Sequence, residues 1–395
     1  MPFRIDEPNP KKVYWIATDR IKYLKNNMED RKIGSLSVAD RNLKSEKMRG
    51  KIFDGNWDIS DIKISDLDVY KALKKRKFEG SKWQDTDFYK RVLKNIESGD
   101  FVYELRSRND LDKRCEYLDW LYEKIKIEGS VLNHNNYDEN TAFDEIDVNI
   151  GRDGKYLLQN GIDALSIANT LGIQNIPVRV FVRHKKWWEL RKLVISYANH
   201  ISDHLLYQPI VHPDLADIPY NMPTHNYEML IEAIKSHLRT EGGTMLDIGA
   251  NIGFFCHKFE DMGYTCYGIE QDPATFEILE KIRIAENKKF VAINKSIFDV
   301  EFIKTMQFDV VLALNIFHHF LKRKTLYLEL IDLLQSLQMN ELFFEPHLHQ
   351  EEYMKDAYVN YTPKEFIEFI LKYTHFNQFK AIHDDPSGRI VFHLF

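Results

Sequence analysis

The sequence predicts an α/β chain built in two parts, a smaller α+β domain followed by a doubly wound, mostly parallel sheet that ends in an antiparallel hairpin. Three observations carry this. Apolar, strand-like runs at 244–248, 265–269, 289–293, 308–314 and 341–345 alternate with helix-length segments, the clearest at 321–338. Two further strand-like runs, near 379–383 and 389–394, flank the turn text DDPSG at 384–388. Between the two parts, 194–225 holds Pro209, Pro213, Pro219 and Pro223, and the stretch 207–226 keeps no lasting periodicity.

At 395 residues the chain is too long for one ordinary core, and 44% hydrophobic with 29% charged residues is a globular composition. A formal net charge of −6 lacks the basic excess that binding to a phosphate backbone needs, so a nucleic-acid partner is not expected. The densest basic run, KALKKRK at 71–77, has the spacing of a solvated helix face. Cys115, Cys256 and Cys266 lack metal-type spacing, the first residues lack an apolar signal core, and no apolar run is long enough to span a bilayer. A cytoplasmic protein without a membrane span is the expectation.

Residues 1–51 read as an N-terminal extension in which VYWIA at 13–17 can add an edge strand. The α+β domain follows at 52–193. Helices are predicted at 87–98 and 111–129, then a strand at 145–150 (EIDVNI), a reversal at Gly151-Arg-Asp-Gly154 and a strand at 156–158. Asn160-Gly161 turns the chain into a helix at 163–171, stopped by Gly172, before a strand at 177–183. The stretch 148–187 resembles the ParB/sulfiredoxin-like fold, whose members commonly carry D-G-x-H-R-L where the second strand enters the helix. Members of that superfamily bind nucleotides through a helix amino terminus and a His-Arg pair facing phosphate. Here the text is Asn160-Gly-Ile-Asp-Ala-Leu165, with Asp163 and Ala164 in place of the pair, which removes the cationic grip. Arg152, Arg179, Arg183, His184 and Lys185 are left as an alternative anion-binding surface or as an ordinary strand-end charge cluster.

The stretch 194–226 is read as a connector, and its length suggests a lid or entrance over the neighbouring site. The last domain, 227–395, opens its sheet with MLDIGANIGF at 245–254, an apolar strand running through a glycine turn into a helix. A dinucleotide fingerprint G-x-G-x-x-G fails here, because from Gly249 its second and third glycines fall on Asn251 and Phe254. The segment does resemble the first motif of class I S-adenosylmethionine methyltransferases, D-x-G-x-N-x-G, through Asp247, Gly249, Asn251 and Gly253. That resemblance implies a Rossmann-like sheet, a turn beneath the methionine part of S-adenosylmethionine, and Asp247 placed toward its ammonium group.

Glu270 ends the next strand, where a carboxylate can accept both hydroxyl hydrogens of a ribose. It can equally cap the helix after Pro273. Asp299, after the third strand, corresponds to the family's usual contact near the adenine amino group, with Ile297 or Phe298 beside the ring; capping the following element is its plainer role. Asn315 ends the fourth strand and leads into IFHHF, which resembles the fourth motif of small-molecule methyltransferases.

Transfer of a methyl group from a sulfonium is an in-line displacement, so alignment and exclusion of water matter most. A hydroxyl acceptor needs a base; a phosphate or carboxylate oxygen needs only groups that hold the anion. His318, Glu345 and His347 are the candidate catalytic residues, with His319 and His349 beside them. His347 and His349 can share a side of an extended segment, but no third ligand is identifiable, so no metal is expected. The function implied is O-methylation of a polar small molecule, sugar or glycan, phosphorylated ones included. Two alternatives stand beside it, a bifunctional phosphotransferase-methyltransferase and a nucleic-acid-binding ParB-like protein with an inactive methyltransferase-like domain.

Overall fold

The computed structural model describes residues 9, 11–25, 48–100, 105–131, 143, 146–201, 204–221, 226–384 and 386–395. The chain divides into two compact units, one over Arg4–Lys192 and the other over Leu193–Phe395 with the first three residues. No helix among the described residues is long and apolar enough to cross a membrane.

In the N-terminal unit the strands are β1 (Val13–Ala17), β2 (Tyr23–Leu24), β3 (Lys51–Phe53), β4 (Asp147–Ile150), β5 (Tyr156–Asn160) and β6 (Asn175–His184). The sheet order is β1-β6-β4-β5-β2, with β3 also on β6. β6, rich in β-branched residues and buried along most of its length, pairs with β1, β3 and β4. β1 pairs antiparallel along its first half, so the strand of the first 51 residues is part of this sheet. Helices α1 (Asp68–Glu79), α2 (Asp87–Glu97), α3 (Arg108–Val131) and α4 (Ile162–Leu171) complete the unit. In α1, Val69, Ala72 and Leu73 are buried while Lys71, Lys74 and Lys75 form a solvated face, and Arg76 and Lys77 of the same run pair with Asp119 and Glu123 of α3. α4 lies between Gly161 and Gly172, both left-handed, and the Gly172 N–H closes the last turn on Asn169. Asp163 in its first turn pairs with Arg114 of α3. The strand expected from 145 begins at Asp147; residue 145 lies outside the described residues.

The next helix, α5 (Lys185–Ile201), runs across the start of the stretch read as a connector. Val194, Ile195 and Ala198 recur at helical spacing and are buried, so periodicity persists into the connector. Residues 222–225, at the far end of that connector, lie outside the described residues.

The C-terminal unit continues with α6 (Tyr227–Lys235), β7 (Gly243–Ile248), α7 (Phe254–Asp261), β8 (Tyr264–Ile269), α8 (Pro273–Ala285) and β9 (Val291–Ile293). After these come β10 (Gln307–Leu314), α9 (Lys324–Ser336), β11 (Gln338–Glu345), α10 (Pro363–Tyr373), β12 (Phe379–Asp384) and β13 (Ile390–Leu394). The sheet runs β12-β13-β11-β10-β7-β8-β9, parallel from β11 to β9, with β12 and β13 forming the antiparallel end. Alternate residues of each central strand feed two cores. Leu246, Val311, Ala313, Leu342 and Phe344 pack with Leu330, Leu334, Phe366 and Ile370, and Met245, Val310, Leu312 and Phe343 pack with Ile231, Ile234, Cys256 and Phe259. This two-sided burial is why the strands read as unbroken apolar runs.

The helix expected over 321–338 is shorter at both ends. Phe317–Lys322 is a 3-10 helix, Arg323 is extended (φ −134°, ψ 142°), and β11 claims the chain from Gln338.

Candidate active site

β7 and β10 are neighbours, yet the chain leaves β7 toward β8 on one side and returns to β10 on the other. The carboxyl ends of two such strands diverge, which opens a crevice at the reversal. It encloses about 830 Å³, toward the upper end of the range of roughly 300–1,000 Å³ seen for small-molecule sites.

The turn after β7 depends on its backbone. Gly249 has φ +77°, and a Cβ there would lie 2.8 Å from the Ile316 side chain, so the β7 and β10 ends approach this closely only with glycine. The N–H groups of Gly249 and Ala250 both donate to the Ile269 carbonyl at 2.9 Å, tying the turn to the tip of β8. Asn251 adopts φ +52°, a left-handed conformation that asparagine tolerates, and its N–H donates to Glu270 Oε2 at 2.9 Å. Gly253, also left-handed, leads into α7.

Glu270 therefore sits just beyond β8 with one oxygen held by Asn251 and the other, Oε1, accepting the Asp272 N–H at 2.8 Å. Asp272, not Glu270, caps α8, its Oδ1 accepting the N–H and hydroxyl of Thr275 at 2.8 and 2.6 Å. Burial raises the Glu270 pKa, opposed by the N–H groups of Asp272 and Asn251. Each oxygen can accept a further hydrogen bond, which suits two adjacent hydroxyls.

Asp247, next to last in β7, is 3% exposed and lies 3.8 Å from the Cys256 thiol of α7. Burial pushes its pKa up to about 7; the thiol contact opposes this and the nearby Glu270 charge adds to it. Of the sequence-derived positions, Gly249, Asn251, Glu270, Asn315, His318 and His319 line the crevice, whereas Asp247, Gly253, Asp299, Glu345, His347 and His349 are not among its lining groups. Asp299 ends a 3-10 helix, Ile297–Asp299, and is exposed; Ile297 faces the crevice instead.

On the β10 side, Asn315 has φ +53°, donates its N–H to the Glu345 carbonyl at 3.0 Å and its Nδ2 to the Tyr207 hydroxyl at 2.7 Å. His318 is 5% exposed, with its ring centroid 4.0 Å from His319, 5.2 Å from Tyr353 and 5.9 Å from His347. Burial, followed by His319, His347, Lys322 and Arg389, drives its pKa down to about 2, so the imidazole is neutral. His347 is fully buried behind it, with Nε2 2.9 Å from Asn360 Oδ1; burial lowers its pKa and the Asn360 bond opposes that. Glu345 is buried at the end of β11. Among the described residues no cluster of three or more His, Cys, Asp or Glu is placed to hold a metal ion.

Sequence reasoning did not single out Tyr197, His200, Tyr207 and Asn221, or Lys322, Tyr353 and Arg389, all of which line the crevice. The first four come from 194–226, where the unusual length of the connector was the only available signal. Tyr197 bonds Thr275 at 2.8 Å beside the Asp272 cap, and Gln208 Oε1 accepts the Phe254 N–H at 3.3 Å.

Several solved structures align with part of this chain. The bifunctional kinase-methyltransferase WbdD aligns at 17% identity and a TM-score of 0.39, over 52% of this chain and 45% of that one. The small RNA methyltransferase HEN1 aligns at 14% and 0.35, over 42% and 25%. PH0226 of Pyrococcus horikoshii OT3 aligns at 11% and 0.36, over 50% and 97%. The chain spans less than half the length of WbdD. No curated protein matches it. Residues 246–336, which hold the glycine turn, Glu270 and the β10 end with its histidines, match a family model described as a methyltransferase domain, and the C-terminal unit carries a domain of that kind.

Proposed function

We propose that the C-terminal unit is an S-adenosylmethionine-dependent methyltransferase acting on an oxygen of a polar small molecule, sugar or glycan. The observation that carries this reading is the Glu270 carboxylate, fixed by the backbone of Asn251 and Asp272 at the rim of a crevice floored by the Gly249 turn. The residues present suit the cofactor. Glu270 would hold the ribose hydroxyls, Ile297 would lie against the adenine, and the Gly249–Asn251 backbone would pass beneath the methionine portion. Asp247 is proposed to answer the ammonium group from behind the turn, through water or a small shift, because it is buried. Bound there, the cofactor supplies an electrophilic methyl group. The protein's own part is to align the acceptor from the His318 side and exclude water, with His347 and Glu345 supporting that side from behind.

For the N-terminal unit we propose a ParB-like recognition module, supported by its strand, turn, strand, helix, strand order over Asp147–Ile150 to Asn175–His184. The ion pair of Asp163 with Arg114 makes the start of α4 a structural junction rather than a phosphate grip.

Calorimetry with S-adenosylmethionine and S-adenosylhomocysteine tests the reading. Wild type should bind both, and Glu270→Ala should lose at least about tenfold in affinity, the scale of one charge-assisted hydrogen bond, while keeping its circular dichroism spectrum. Unchanged affinity in a folded variant would remove the ribose assignment, and no heat with wild type would remove the function.

A further inference from the structure

Charge in the crevice is unevenly distributed, with Lys295, just beyond β9, on the same side of the sheet as its carboxylates. The carboxylates that line it among the described residues, Glu270 and Asp272, belong to the β8 end. The β10 and β13 side presents Lys322, Arg389 and the neutral His318, with Tyr353 between them. Arg389, whose side chain is 11% exposed, is oriented by Glu351: its Nε donates to Oε1 at 3.1 Å and its Nη2 bonds the same oxygen. The Tyr353 hydroxyl donates to the other Glu351 oxygen. Lys322 lies with Nζ 5.0 Å over the Tyr353 ring, and no carboxylate of a described residue lies within ion-pair distance of it. Glu351 balances one of these two cations, and Lys322 is the surplus.

Two groups on the acceptor side, His318 and Tyr353, are poor bases. His318 is the buried imidazole there, and burial together with its cationic neighbours suppresses its proton affinity. The Tyr353 phenol is pushed up by burial and by its bond to Glu351. An acceptor that is already ionised needs no base.

We infer that the acceptor is an oxyanion, a phosphate or carboxylate group held by Lys322 and Arg389 beside His318, and that one of its own oxygens is methylated. This rests on the methyltransferase reading above. In the step, the anionic oxygen attacks the methyl carbon; the O–C bond forms as the C–S bond breaks, and that electron pair stays on sulfur as a neutral thioether. The negative charge of the acceptor and the positive charge of the sulfonium are consumed together, and no proton moves. The product is a methyl ester.

The test uses the full chain saturated with S-adenosylhomocysteine and titrated with inorganic phosphate, glucose 6-phosphate, glucuronate and glucose. The three sugars share a frame and differ at carbon 6, which separates phosphate from carboxylate recognition. At least one anion should bind about tenfold or more tighter than glucose, and Lys322→Gln should lose about tenfold of that affinity while S-adenosylhomocysteine binding stays within about twofold. Lys322 is the variant of choice because removing Arg389 would leave the partly buried Glu351 without its ion-pair partner. Equal binding of charged and uncharged sugars, no binding by any anion, or anion binding indifferent to Lys322→Gln would each overturn the inference. Failure to bind S-adenosylhomocysteine would instead overturn the methyltransferase reading.

Discussion

A carboxyl group surrounded by apolar strand and helix residues is costly to ionise, and Asp247 is such a group, with its pKa raised to about 7. Because the folded value lies above the ordinary carboxylate value, Asp247 favours folding fully only below that ordinary value. The contribution fades as pH rises through about 7. A cationic group settling near it reverses the preference. Binding of S-adenosylmethionine at about pH 6 should therefore expel a proton, and at about pH 8.5 it should not. Calorimetry in two buffers of different ionisation enthalpy measures this directly. Absence of proton release at the lower pH would show that the ammonium group does not sense Asp247. The same scale explains Glu270, whose burial is compensated by two backbone N–H groups that hold it ready for hydroxyls.

At the scale of elements, the β7–α7 turn is the most constrained piece of the site. Gly249→Ala would place a methyl group at φ +77° and against Ile316. We expect a loss of about 1–3 kcal/mol in stability and at least a tenfold loss in cofactor affinity, read from a denaturant midpoint and from calorimetry. Restoring space with Ile316→Ala should return only part of the stability, since the backbone strain remains. This turn was legible in the sequence because its requirements are local: a strand, a left-handed glycine, a tolerant asparagine and a helix follow one another within ten residues. The same locality made β4, β5, α4 and β6 readable. Asp299 shows the limit of that approach, since in a single 3-10 turn Ile297 takes the inward position and leaves the aspartate in solvent. Lys322, Tyr353 and Arg389 were not legible, because they converge only after β13 has been inserted between β11 and β12, and hydrophobic periodicity carries no record of strand order.

For the whole molecule, the division at Lys192 falls inside α5. A fragment cut there would sever a helix, so the informative piece is residues 185–395. It should unfold in one cooperative transition and bind S-adenosylhomocysteine within a few-fold of the intact chain. An unfolded or non-binding fragment would mean that 1–184 is needed for the fold or the pocket. The uneven distribution of charge described above also belongs to this scale, since Glu270 and Asp272 follow β8 while Lys322 and Arg389 come from the opposite half of the sheet.

The reversal of strand order between β7 and β10 has a kinetic consequence. These neighbours are separated along the chain by two whole strand-and-helix excursions, so their pairing closes a long loop and comes slowly relative to the local β7, β8 and β9 contacts. A nascent or partly refolded chain can present the glycine turn and its carboxylate long before the opposite bank exists. Tight nucleoside capture should appear only with that last zippering event, which makes recovery of ligand affinity a stopwatch for completion of the sheet.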